Sequence, residues 1–262
     1  MRPGYCRSEI AWDLGAVAPC HTLVAMIVLV TDFGTHDPYV GQMHLRLAQL
    51  APQVPVVDLF HHAPAFAPEA TAYLLPAYCR EVPRGAVVVV VVDPGVGGPR
   101  AALVLEIDGR FYVGPDNGVF EMAVRRSGLS SCAALAIPAT AAPSFHGRDV
   151  FAPAAAALAL GRRPALVAAS LTRYPAWPDD RLEVLFIDHY GNAVTGLRAT
   201  PRQRALTIRG HVLERARTFT DKPPGVPFFY ENANGLIEIA ANQVSAAALL
   251  GLELSDPFGV LE

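Results

Sequence analysis

The amino-acid sequence predicts an α/β N-terminal domain with a largely parallel central sheet, followed by a small all-β domain. Three observations predict it. Apolar, β-branched runs alternate with helical periods through the first two-thirds of the chain, the pattern of strand–helix–strand units. Residues 86–92 are an alanine followed by an unbroken run of valines, the composition of a strand buried on both faces. Beyond residue 180 the runs turn short and strand-like, with Gly and Pro turns between them, as in a barrel or sandwich.

The elements follow in order. Residues 26–31 (Met-Ile-Val-Leu-Val-Thr) read as a buried strand. Asp37-Pro38 reads as an N-cap with proline at the first helical position. Val40, Met43, Leu47 and Leu50 follow at helical spacing. Residues 54–59 form the next strand. Residues 68–81 have helical character, with Pro76 expected to kink them. Residues 101–107 and 110–113 flank Asp108-Gly109, a two-residue hairpin turn. Residues 119–126 and 150–160 read as helices. Two prolines and two adjacent acids at 171–180 suggest a linker. Strands are expected at 182–187, 193–197, 205–208, 211–213 and 236–240. The division expected is an α/β domain over 26–172, a linker at 173–180 and an all-β domain over 181–262.

Residues 1–25 are rich in Gly, Pro, Cys and polar residues, without periodicity or a signal-peptide layout. They are expected to be a disordered extension, with Met26 as the natural start.

Composition narrows the function. Hydrophobic residues make up 52% of the 262 residues, enough for a sizeable core, and the net charge of -3 gives no electrostatic reason to expect nucleic acid. The apolar runs at 23–30 and 86–92 fall short of the roughly 18 residues that cross a bilayer. No membrane association is expected, and the mean hydropathy of +0.29 reflects buried strands. Cys6, Cys20, Cys79 and Cys132 are scattered without metal-ligand spacing, which suits thiols in a reducing cytoplasm.

In an open α/β sheet, ligands sit beyond the carboxyl ends of the strands. Two unusual segments fall there: Thr31-Asp32-Phe33-Gly34, and Asp93-Pro94-Gly95-Val96-Gly97-Gly98-Pro99-Arg100. The second is a tight, backbone-exposing loop opened by an acid and closed by a base; a structural ion pair would account for it equally well. Phe145-His146-Gly147-Arg148-Asp149 puts a histidine among polar residues at a helix start, where Asp149 could simply cap the helix and Arg148 could pair with it. Asp32, His36, Asp37, His61 and His62 could be read as a metal cluster, but no pair has metal-helix spacing. Gly114-Pro115-Asp116-Asn117-Gly118, the segment from Asp188 to Asn192, and Asn232-Ala233-Asn234-Gly235 are turn signals. There is no nucleophile elbow, no phosphate-binding loop and no complete dinucleotide fingerprint.

Together these segments resemble one family, the S-adenosyl-L-methionine hydroxide adenosyltransferases, relatives of the fluorinases and chlorinases. The motifs occur in the family's order from Met26 nearly to the C-terminus. The resemblance implies an α/β domain and a barrel-like C-terminal domain. It also implies a homotrimer whose active site lies between the N-terminal domain of one subunit and the C-terminal domain of its neighbour. It implies hydrolysis of S-adenosyl-L-methionine to adenosine and methionine, with no cofactor and no metal. The water-holding roles fall on Asp93, Arg100 and His146. Asp32 is expected to grip the ribose hydroxyls, and Phe66 to pack on the ribose or adenine. Val96 and Gly147 join the substrate-binding set through their motifs. Asp188 and Asn192 are expected on the methionine amine and the adenine side, and Asn232 in the late substrate-binding segment. This chain departs from the pattern at Tyr190, where the family has Phe, and at Ala233, where it has Ser.

The chemistry suits these residue types. A sulfonium leaves as a neutral thioether and needs no metal; what remains is to place water in line with the 5′ carbon and exclude bulk solvent. An Asp beside an Arg stays ionised and can orient the water. A histidine titrates near neutrality and can share the proton. Three other readings compete: halide transfer to the same carbon, disfavoured by a charged Asp93; a non-catalytic adenosyl-ligand binding protein; and a metal-dependent hydrolase using Asp32, His36 and His61.

Overall fold

A computed structural model describes residues 25–261. The expected extension, with Cys6 and Cys20, lies almost wholly outside the described residues.

The N-terminal part is built on a seven-stranded sheet. Its strands are β1 (Ile27–Thr31), β2 (Val56–Phe60), β3 (Val87–Val91), β4 (Ala102–Ile107), β5 (Arg110–Pro115), β6 (Ser131–Leu135) and β7 (Leu166–Ala168), in the order β2-β1-β3-β5-β4-β6-β7. The pairs β1–β2, β1–β3 and β3–β5 are parallel. β4 is antiparallel to both β5 and β6, and β7 to β6. Thus β2, β1, β3, β5 and β6 run one way and β4 and β7 the other: a largely parallel sheet. β1 and β3 are buried at every position, because helices cover both faces. α1 (Tyr39–Leu50) and α4 (Ala152–Ala159) pack on one face, around Met43, Leu47, Val89 and Phe151. α3 (Glu121–Ser127) packs on the other, with Leu75 near the end of α2 (Pro68–Tyr78) and Cys79 just beyond it. The β4–β5 hairpin turns on Asp108 (φ 49°) and Gly109 (φ 70°), both left-handed as a tight two-residue turn requires.

Three local expectations need correction. Asp37 does not cap α1. The helix starts at Tyr39, Pro38 occupies the cap position in helical geometry, and no side chain caps it. Asp149 does not cap its helix either: its carboxylate accepts from Ala142 N (2.9 Å) and from Arg148. That helix also begins earlier than expected, as a wide π-helical turn at Gly147–Phe151 running into α4.

The C-terminal part has a four-stranded antiparallel sheet, β12-β13-β9-β8, and a three-stranded one, β11-β10-β14. The strands are β8 (Arg181–Ile187), β9 (Ala193–Arg198), β10 (Ala205–Ile208), β11 (His211–Glu214), β12 (Pro227–Glu231), β13 (Leu236–Ala241) and β14 (Gly259–Leu261). One core joins them, with Val184, Leu206, Ile208, Phe229 and Ile239 at its centre. Single bridges Glu183–Pro257 and Arg215–Phe229 link the free edges of the two sheets. The whole closes nearly into a barrel, which removes exposed edges.

Residues 171–180 hold no helix or strand, yet they are strapped to the N-terminal part. Glu121, on α3, is 1% exposed and is their anchor. It accepts hydrogen bonds from Arg173 (2.9 and 3.1 Å), Arg125 (3.0 Å) and Tyr174 N (3.2 Å). Burial opposes its charge, but these bonds win and hold its carboxyl at about 2. Tyr73 Oη donates to Pro178 O (2.7 Å), and Trp177 stacks on Tyr174. Beside the strap, Tyr73, Leu74 and Met122 of the first part pack against Leu185, Val194 and Leu236 of the second.

The Glu121 contribution has a defined pH window. Its folded value lies below the ordinary 4.5, so the stability it lends is complete above that value and is lost as pH falls from about 4.5 towards 2. Glu121→Gln should lower unfolding free energy by about 2 kcal/mol at pH 7. Urea denaturation should show variant and wild type converging as pH drops through that window; a constant gap would contradict this reading of the anchor.

Candidate active site

The parallel strands deliver polar side chains at their carboxyl ends. β1 ends on Thr31 and presents Asp32. β3 runs through Val92 into Asp93. Asn117, after β5, donates from Nδ2 to Val92 O (2.9 Å), pinning the end of β3.

The loop from Asp93 to Arg100 folds back on itself. Arg100 Nε donates to Asp93 Oδ1 (3.1 Å), and Nη2 donates to Asp93 Oδ2. The same Nη2 lies 2.9 Å from His146 Nδ1. Both members of the Asp93–Arg100 pair have side chains under one-tenth exposed, and His146 is buried. The guanidinium also lies over the Phe151 ring, 5.5 Å from its centroid. Burial and the Arg100 charge push the His146 imidazole below its ordinary 6.5, while Asp93 and Asp149 pull the other way. Gly97 lets these segments meet: its φ is +78°, and a Cβ there would stand 2.7 Å from Pro143 O. Val96 is half-buried in this loop, and Gly147 is buried at the start of the π turn. The three water-holding candidates therefore form one connected set.

Asp32 and Phe66 form a second. Asp32 Oδ2 accepts from Phe66 N (3.1 Å). Burial raises the Asp32 carboxyl, the amides of Phe66 and Asp32 lower it, and nearby Asp93 raises it. Phe66 has φ +59° and is 77% exposed. An aromatic residue held left-handed with its ring in solvent is strained, at a cost on the order of 1–3 kcal/mol. Sequence reasoning missed the neighbouring cluster of Phe33, Tyr39 and Phe145, whose ring centroids lie 5.5–5.8 Å apart. Two of these rings adjoin Asp32 and His146 in the chain, the one signal that could have found them.

The histidines of the metal reading go elsewhere. His61 Nδ1 pairs with Thr31 Oγ1 (2.8 Å), and His61 Nε2 lies 2.9 Å from Asp58, which also meets His44 (2.8 Å). His36 is exposed. Among the described residues no group of three His, Cys, Asp or Glu is arranged to hold a metal ion.

In the C-terminal part, Asp188 organises its turn. Oδ1 accepts from Tyr190 N (2.9 Å) and Asn192 N (2.8 Å), and Oδ2 from Asn192 Nδ2 (2.9 Å). Gly191 (φ +84°) brings the turn against Ser245, where a Cβ would collide at 1.9 Å. Asn232 is largely spent on its own loop. Its Oδ1 accepts from Asn234 N and Leu236 N, and its Nδ2 donates to Glu238 (2.9 Å). Glu238, which sequence reasoning also missed, accepts from Tyr230 Oη (2.7 Å) as well. Asp188, Tyr190, Asn192, Asn232, Ala233 and Glu238 line a cleft of about 780 Å³. Its walls come from the C-terminal part alone; Asp32, Asp93, Arg100 and His146 do not line it.

Fold and site define the class: a two-part α/β-plus-β-barrel protein with polar groups converging at the carboxyl ends of parallel strands. Residues 27–168 match the SAM hydroxide adenosyltransferase N-terminal domain, and residues 182–258 match the C-terminal domain of the same name. The chain belongs to the SAM hydroxide adenosyltransferase family. Two relatives bear the name (R)-S-adenosyl-L-methionine hydrolase. That of Thermus thermophilus is 40% identical, over 90% of this chain and 99% of its own. That of Salinispora arenicola is 37% identical, over 89% and 97%. Two solved structures share the fold. A conserved hypothetical protein from Thermus thermophilus has TM-score 0.72 and 38% identity, covering 90% of this chain and 99% of its own. An uncharacterized conserved protein from Thermotoga maritima has TM-score 0.80 and 24% identity, covering 90% and 100%.

The strain at Phe66 is measurable. Phe66→Gly should leave the protein as stable as wild type or about 1 kcal/mol more so, since little ring burial is lost and the left-handed backbone relaxes. Destabilisation by more than about 1 kcal/mol in urea denaturation would show that the ring is packed rather than held out.

Proposed function

We propose that this protein hydrolyses S-adenosyl-L-methionine to adenosine and L-methionine by in-line attack of water on the ribose 5′ carbon. The observation that carries the reading is the joined set Asp93–Arg100–His146, in a chain matched along nearly its whole length to proteins named for this hydrolysis. Water attacks with one lone pair, the carbon–sulfur bond breaks, and the sulfur keeps the bonding pair as a neutral thioether. Neither metal nor organic cofactor has a task in that step. The protein must hold the water, hold the ribose and exclude solvent.

The roles divide by chemistry. Asp93, Arg100 and His146 hold the attacking water. Asp32 accepts from the ribose hydroxyls through the lone pairs that the Phe66 amide leaves open. Phe66 lays its ring against the nucleoside, with Val96 and Gly147 beside it. Asp188 takes the methionine ammonium and Asn192 faces the adenine. Asn232 shapes the loop that carries Ala233, and a backbone N–H there replaces the family serine on the methionine carboxylate. Halide transfer is the weaker alternative, because a halide beside Asp93 would meet a like charge.

The two halves of this site sit in different parts of the chain. We therefore assign the working form to a homotrimer, each active site pairing the N-terminal part of one subunit with the C-terminal part of its neighbour. Among the described residues no helix is long and apolar enough to cross a membrane. The substrate is a small cation of the cell interior, so the site of action assigned is the cytoplasm.

Product analysis tests the reaction. Incubation with S-adenosyl-L-methionine, chelator and chloride in ¹⁸O-water should give methionine and adenosine labelled at the 5′ oxygen; a 5′-chloro nucleoside, or binding without turnover, would overturn the reading. Asp32→Ala should weaken ligand affinity about 10- to 100-fold with a smaller effect on turnover; unchanged affinity in calorimetry would refute the ribose role. Mixing an Asp93→Asn protein with an Asp188→Ala protein under subunit exchange should restore part of the activity if the site is shared between subunits. No restoration despite exchange would place both halves within one chain.

A further inference from the structure

The proton inventory of the buried set follows from which atoms can donate. A guanidinium has N–H donors only, and it does not lose a proton in proteins. The 2.9 Å contact between Arg100 Nη2 and His146 Nδ1 therefore has one possible sense: Arg100 donates and Nδ1 accepts. The neutral imidazole then carries its single hydrogen on Nε2. Protonating Nδ1 would set N–H against N–H beside a cation. His146 is 4% exposed, so water cannot screen that clash. The charged groups facing the ring are Arg100, Asp93 and Asp149.

With Nδ1 occupied and Nε2 already protonated, His146 has no lone pair for a proton from water. Asp93 has. Each of its carboxylate oxygens receives one bond from Arg100, which leaves acceptor capacity on both. We infer that Asp93 is the sole proton acceptor of the set and that His146 acts as a fixed N–H donor through Nε2, its tautomer set by Arg100. The inference rests on the hydrolytic reading for its catalytic consequence, and on the contact geometry alone for its tautomer.

The step balances. One O–H bond of the water breaks and its proton passes to Asp93. One oxygen lone pair forms the bond to the 5′ carbon, and the other accepts from His146 Nε2–H. The carbon–sulfur pair stays on sulfur, and Asp93 later returns the proton to solvent. Holding the water by one hydrogen and one lone pair aims the remaining lone pair at carbon.

Nitrogen NMR on the intact protein labelled with ¹⁵N-histidine tests this, with His146 assigned by the signal lost in His146→Gln. The expected result at pH 7 is an unprotonated Nδ1 and a protonated Nε2; an Nδ1–H tautomer or a doubly protonated ring would overturn the inference. Turnover gives an independent reading. Asp93→Asn should lose at least about 100-fold in kcat. His146→Gln keeps an amide N–H and should stay within about 10-fold of wild type, whereas His146→Ala should lose about 100-fold. Equal losses in the Gln and Ala variants would return the base role to His146 and defeat the proposal. Absence of labelled adenosine from wild type would defeat the hydrolytic reading instead, and the nitrogen measurement would still decide the tautomer.

Discussion

One guanidinium organises this site. Arg100 gives two hydrogen bonds to Asp93, one contact to His146 and a face to Phe151. The partners come from two places in the fold: Asp93 at the end of β3, and His146 and Phe151 at the two ends of the π turn. Removing one member of a buried ion pair strands the other, typically at a cost of about 3–5 kcal/mol. The surrounding backbone is shaped to avoid that. Gly97 admits the carbonyl of Pro143 at a distance no side chain allows. Arg148 and Ala142 N satisfy Asp149, whose carboxyl the Arg148 bonds hold at about 2. A fixed Asp149 holds the chain on both sides of His146, and hence the ring that faces Arg100.

The second constraint lies between the two parts of the chain. A proline-containing segment without regular structure would ordinarily behave as a hinge. Here its carbonyls, amides and an arginine are bound to α2 and α3, and the apolar cluster of Tyr73, Leu74, Met122, Leu185 and Leu236 closes the gap. The Arg181–Glu69 pair (2.5 Å) and the edge-on Phe60–Phe186 rings add to it. The two parts are thereby locked in register, so loops far apart in sequence keep fixed positions relative to the sheet.

Much of this was legible from residue order, for physical reasons that also mark the limits. β1 and β3 are apolar, mostly β-branched and buried throughout, so composition alone marks them. β6 carries no strand signal in its composition, because Ser-Cys-Ala-Ala-Leu has no β-branched residue, although its burial alternates cleanly. β12 opens on Pro227, which argues against a strand unless it lies at a sheet edge, and β12 is an edge. The helix expected at 150–160 begins a few residues earlier, in a π turn that has no 3.6-residue signature. At the site, Asp93 and Arg100 were readable as a pair from one loop. The link to His146, more than forty residues on, came from family resemblance and not from any local pattern. Asn232 shows the reverse: the motif marks it as a binding residue, while its amide is almost entirely used in building its own turn.

The buried carboxylates differ in a way that burial alone does not explain. Asp93 and Glu121 face guanidinium groups, so their charges are cancelled within the fold. Asp32 and Glu238 are met by neutral donors only: a backbone amide for one, a phenol and a carboxamide for the other. In both, burial raises the carboxyl above its ordinary value. Asp188 is likewise held by amide N–H groups. Arginine thus closes the carboxylates that fasten the strap and join His146, while Asp32, Asp188 and Glu238 meet no guanidinium among the described residues, so the field of their ionised forms is left uncancelled by the protein. S-adenosyl-L-methionine, with a sulfonium and an ammonium against one carboxylate, carries net positive charge and is the kind of ligand such a field favours.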